Sequence, residues 1–162
     1  MTILIITFLL TGLFSGLLAG LLGVGGGIII VPVSYFVLIS LGYSSDVVMH
    51  VSIASSLAII LFTSVSSIRS HLKFNNVDKE VIKKWFPGIM LGSLLGSILA
   101  SKINGEFLIV IFVSLTFLIS MNMFFQQKIK TIKEDIPKSF LINCIISGTI
   151  GLLSVTIGIG GG

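Results

Sequence analysis

The chain has 162 residues, of which 54% are hydrophobic and only 10% charged, with a mean hydropathy of +1.16 and a net charge of +4. A water-soluble domain carries about 25% charged residues, so this composition cannot cover a surface facing water and suits lipid instead. The basic residues lie outside the long apolar runs, nine of the ten in two loops, which is a membrane-topology signal and excludes the basic face of a nucleic-acid-binding domain.

The elements follow from apolar length and its interruptions. No charged side chain occurs from Met1 to Ser45. One straight helix of that length would overshoot a hydrocarbon core of about 30 Å roughly twofold. The run must break, and Gly23-Val24-Gly25-Gly26-Gly27, followed by Pro32, is where it does, since each helical glycine costs about 1 kcal/mol relative to alanine. The spacing predicts helices at Thr2–Leu22 and Gly27–Leu41. The N-terminal run lacks a basic n-region and stays apolar past residue 40, so it reads as a retained membrane segment and not a cleaved leader.

Further apolar runs are predicted at Val47–Ile68, Pro87–Ser101 and Phe107–Phe125, with a last one from about Ser139 onward. Between them lie a polar loop from Arg69 to Lys84, a tight turn at Lys102–Glu106, and a basic loop carrying Lys128, Lys130, Lys133 and Lys138. The expected fold is an all-α, polytopic helical bundle of about six hydrophobic segments in a cell membrane. The positive-inside bias puts both basic loops in the cytoplasm. The side on which Met1 lies depends on whether the first two segments each cross fully.

The end of the chain repeats its beginning. Gly16–Gly27 aligns with Gly151–Gly162 at an offset of 135, with seven of twelve positions identical. The repeat reading divides the chain into a first transmembrane repeat, 1–138, and the start of a second, 139–162. It also carries the expectation of a polypeptide nearly twice as long, completed by a C-terminal repeat or a second subunit. Five full crossings between the motifs would make the repeats inverted, and a single crossing by the first run would make them parallel. Glycine-interrupted segments at matching positions of two halves mark the binding site of many secondary transporters.

Several residues could carry transport. A helix that starts after Gly25-Gly26-Gly27 has about four backbone N–H groups without an intrahelical partner and a partial positive charge at its N-terminus. Gly23, Gly25, Gly26, Gly27 and their counterparts Gly158, Gly160, Gly161, Gly162 could therefore bind a small anion, or serve only a close helix crossing. Ser52, Ser55, Ser56, Thr63, Ser66, Ser67 and Ser70 share one face of the third segment at about 100° per residue. That face could line a polar path or pack against a neighbour. His50 and His71 are candidate proton or substrate contacts, against the plainer reading of solvated interfacial imidazoles. Gly88, Gly92, Gly96 and Ala100, and separately Gly12, Gly16 and Gly20, read as helix-packing stripes. Cys144 reads as a small buried side chain. No nucleophile–His–acid set, metal-ligand cluster or cofactor motif stands in the sequence. The GVGGG block lacks the Gly-Lys-Ser/Thr of a phosphate loop.

The block AGLLGVGGGIIIVP (Ala19–Pro32) resembles the TauE/SafE family of membrane permeases. Ser55-Ser56-Leu57, His71 with Asn76-Val77-Asp78, and the second glycine block resemble it as well. Ser55 stands where the family usually has Thr, and Asn75-Asn76 where a Gly is common. The resemblance implies a carrier for small organosulfur compounds or sulfur oxyanions, such as sulfite or sulfoacetate. A membrane-embedded structural or assembly subunit and an intramembrane enzyme are the competing readings.

Overall fold

A computed structural model describes residues 2–22, 25–74, 78–125 and 140–160. The described residues form six helices: α1 (Thr2–Leu22), α2 (Gly27–Ser40), α3 (Ser45–Lys73), α4 (Lys79–Lys102), α5 (Gly105–Phe125) and α6 (Phe140–Ile157). The all-α expectation holds, and α3, the first 18 residues of α5, and α6 are long and apolar enough to cross a membrane.

The polar stretch predicted as a loop from Arg69 to Lys84 is instead mostly helix. α3 continues to Lys73, and α4 begins eight residues before Pro87, which it carries within it. Loss of hydropathy marks where lipid ends, not where a helix ends. Lys and Glu are good helix formers. His71 and Lys73 sit favourably at the negative end of α3. The Asp78 carboxylate caps α4 by accepting the Glu80 and Val81 N–H groups at 2.8 and 3.4 Å. At about 1.5 Å per residue, the 29-residue α3 is about 43 Å long and projects beyond the bilayer core.

Contacts fix the helix directions. Gly105, the first residue of α5, lies against the Ser45 and Asp46 carbonyls at the start of α3. A His50 ring nitrogen lies 3.1 Å from the Ala100 carbonyl oxygen near the end of α4. The 41–44 and 103–104 turns therefore share one end of the bundle, and Arg69, Lys73, Lys83 and Lys84 lie at the other. Gly88 of α4 packs on Cys144 and Ser147 of α6, Gly92 on Gly148, and Gly96 on Leu152, so α4 and α6 run parallel. Gly26 meets Ser15, so the chain has doubled back along α1 before α2 begins. Thus α2, α4 and α6 run toward the 41–44 end, and α3 and α5 run away from it.

Packing is uneven. A small core of Val31, Met49, Ile53, Leu108, Phe112, Ile157 and Ile159 ties α2, α3 and α5 to the end of α6. α4 and α6 meet backbone to backbone: a Cβ at Gly92 would run into the Gly148 carbonyl, and one at Gly151 would lie 2.5 Å from the Ile89 carbonyl oxygen. The predicted packing role of Gly88, Gly92 and Gly96 agrees with this geometry. Gly12, Gly16 and Gly20 have no described atom within 4 Å of an added Cβ, so the described residues supply no partner for that stripe. Their side of α1 is open, and Leu9, Leu13 and Leu17 on it are 68%, 65% and 55% exposed.

Candidate functional site: two glycine turns against the third helix

The two glycine blocks, far apart in sequence, come together. α6 ends in a Schellman motif. Gly158 takes the left-handed φ of +72°, its N–H donates to the Val155 carbonyl, and the Ile159 N–H donates to the Ser154 carbonyl at 3.1 Å. Only glycine adopts that φ without strain. Gly25 and Gly160, equivalent at the 135-residue offset, both have positive φ, +81° and +63°. The sequence repeat thus has a conformational counterpart.

The start of α2 abuts the end of α6. Gly27 is buried, and a Cβ there would run into the Gly158 carbonyl oxygen. That carbonyl accepts the buried Ser56 hydroxyl of α3 at 2.7 Å. The Gly26 carbonyl, at the N-cap of α2, accepts the Ile29 and Ile30 N–H groups and the Ser15 hydroxyl at 3.1, 3.0 and 3.1 Å. Gly160 faces Ile60, and Gly158 faces Val31 and Ile53. Ile53 to Ile60 lie eight to fifteen residues into α3, about 12–22 Å from its start, well inside its apolar stretch. Broken backbone at such a depth is tolerated only where it is covered by protein or lines a wet cavity.

The predicted residues divide accordingly. Gly25, Gly26, Gly27, Ser56, Gly158 and Gly160 converge, while Ser52 is buried on the same helix and donates to its own Val48 carbonyl at 2.8 Å. Ser55 and Thr63 are exposed, and Thr63 donates to the Ile60 carbonyl, so the hydroxyl stripe does not act as one surface. Ser66, Ser67 and Ser70 are exposed as well. His50 belongs to the 41–44 end, where it bridges α3 and α4, with its second ring nitrogen 3.2 Å from the Asp46 carbonyl oxygen. His71 is exposed in the last turn of α3. Gly23, Gly161, Gly162, Asn76 and the loop lysines from Lys128 to Lys138 lie outside the described residues. Cys144 is half-buried beside Gly88.

Ser15 escaped the sequence reading. It is 1% exposed and holds the Gly26 carbonyl. Its signal was a lone hydroxyl about two turns before a glycine break. Ser34, Ser147 and Thr156 are likewise buried polar residues on apolar helices.

The electrostatics come from backbone. Among the described residues, no charged side chain lies in α2, in α6, or between Val47 and Ile68 of α3. The polarity near the two turns is that of helix ends: the positive N-terminus of α2, whose first N–H groups precede any intrahelical bond, beside the carbonyl-bearing C-terminus of α6.

A family model described as "Sulfite exporter TauE/SafE" matches residues 8–162. The chain is 30% identical over 158 residues to the probable membrane transporter protein YunE of Bacillus subtilis (strain 168), covering 87% of this chain and 58% of that protein. It is 31% identical over 160 residues to a probable membrane transporter protein of Haemophilus influenzae, covering 98% and 60%. A probable membrane transporter protein of Methanocaldococcus jannaschii, MJ0441, is 26% identical over 154 residues, covering 86% and 52%. The chain therefore spans between about half and three fifths of the length of these curated relatives. No solved structure matches it.

Proposed function

Because this chain belongs to the sulfite exporter TauE/SafE family of membrane transporters, we propose that it forms part of a multi-pass permease of the cell membrane that carries a small anion past the converging glycine turns. The observation that carries this reading is the meeting of Gly25–Gly27, Ser56 and Gly158 against the middle of α3. The α2 N-terminus brings partial positive charge into a region without fixed charge, which supports an anion, while the carbonyls that end α6 oppose it from beside Gly27. A sulfonate or sulfite has several acceptor oxygens and suits backbone N–H donors. The family description names sulfite, which heads the candidate list on that ground.

The basic end, carrying Arg69, Lys73, Lys83 and Lys84, is assigned to the cytoplasm by the positive-inside rule. A second reading, in which the glycines serve close packing alone, is favoured at Gly27, whose Cα face is filled by the Gly158 backbone. It is not favoured at Gly26, which is half-buried and meets only the ends of two side chains.

Flux across proteoliposomes containing the full-length protein tests the proposal. Sulfite, sulfoacetate and a second sulfonate form the panel, with potassium as the cation control. Saturable movement of at least one of these anions, with no potassium flux, is expected. If none moves faster than through protein-free vesicles, the anion reading fails.

A further inference from the structure

α6 is the counterpart of α1, and in this structure α6 has a partner that α1 lacks. The face of α6 covered by α4 consists of Cys144, Ser147, Gly148, Gly151 and Leu152. Subtracting the 135-residue offset gives Leu9, Gly12, Leu13, Gly16 and Leu17 of α1. Small residues recur at two of the five positions, with Gly12 matching Ser147 and Gly16 matching Gly151, while Leu13 stands opposite Gly148. On α6 these two are buried, Ser147 at 0% exposure. On α1, an added Cβ at Gly12 or Gly16 meets nothing within 4 Å.

We infer that the Gly12–Gly16 face of α1 is the docking surface for one specific helix, the second-repeat counterpart of α4, running parallel to α1 with small residues four apart along its seam. Three observations support that occupant. The α1 and α6 blocks share sequence and the positive φ of Gly25 and Gly160. The α4·α6 pairing joins the first repeat to the start of the second, so a two-fold relation between the repeats gives it a symmetry mate on α1. The curated relatives are long enough to contain such a helix, since this chain covers 58% and 60% of two of them. Lipid alone gives no reason for glycines four apart on a membrane helix, because leucine there is a better helix former and equally lipophilic. A second copy of the chain does not fit equally well, because its own α4 seam is already filled by α6.

The inference rests on the repeat and not on transport, so its test reads stability and cross-linking and leaves flux aside. In the full-length protein in detergent, Gly16→Leu is expected to lower the melting temperature by about 4 °C or more, and Gly151→Leu at the seam already formed is expected to do the same. An unchanged or raised melting temperature would overturn the inference, since a lipid-facing glycine gains by becoming leucine. Leu13→Cys in a Cys144→Ser background gives the second measurement, at a position where a large side chain already stands. A nitroxide attached there should be as inaccessible to oxygen as one at Leu152→Cys. Full oxygen accessibility, or an oxidised homodimer through residue 13, would contradict the proposed occupant.

Discussion

Gly158 illustrates how much one residue decides. Its left-handed φ ends α6, its carbonyl receives the Ser56 hydroxyl, and its backbone closes against Gly27. Gly158→Ala would keep the volume change to one methyl yet hold an L-residue at φ +72° and press it against the Val31 side chain at 3.1 Å. A cost of about 1–2 kcal/mol is expected from the conformation alone. Gly148→Ala is the control, because its Cβ would meet nothing nearer than the Gly88 carbonyl at 3.5 Å, an ordinary contact. Thermal unfolding in detergent should lower the melting temperature for the first variant and leave it unchanged or raised for the second. Equal losses would show that backbone conformation at Gly158 is not what matters. The glycine blocks were legible in the sequence because four glycines in five residues cannot stay helical. Their meeting was not legible, since no local pattern records which carbonyl a serine a hundred residues away will find. Ser15 was missed for the same reason.

Among the elements, the α4–α6 pair has the closest contact, made through backbone because Gly88, Gly92 and Gly96 present no side chain. Dispersion and weak polar contacts hold helices together where hydrophobic burial gives no gain. Gly92→Val would put a branched side chain onto the Gly148 carbonyl. Loss of the monodisperse peak on size-exclusion chromatography is expected, whereas a lipid-facing glycine would tolerate valine. Apolar length predicted the cores of all six helices of the described residues. It misjudged the facing ends of α3 and α4, because charged helix formers and the Asp78 cap extend helices past the lipid boundary. The small-residue stripe was a correct sign of packing on α4. On α1 the same stripe has no partner among the described residues, and sequence spacing cannot say which helix fills it.

For the whole molecule, charge and direction agree. α3 and α5 start beside Asp46 and Lys102, and the Arg69–Lys84 cluster lies at the opposite end. Tyr43→Cys and Lys73→Cys, each in a Cys144→Ser background, should therefore behave oppositely in intact cells. A membrane-impermeant maleimide should label residue 43 directly and residue 73 only after permeabilisation; the reverse pattern would invert the assigned orientation. In the proposed permease the glycine turns bind the transported anion. Gly26→Val in the full-length protein, compared with wild type for sulfonate flux at equal membrane content, tests it most directly. At Gly26 an added Cβ meets only the Ser15 Oγ at 3.1 Å and the Ile30 Cδ1 at 3.3 Å, so side chains can yield and the fold persists. The account predicts at least a roughly tenfold loss of flux with normal insertion, equivalent to about 1.4 kcal/mol of lost stabilisation at the site. Unchanged flux at normal insertion would contradict it.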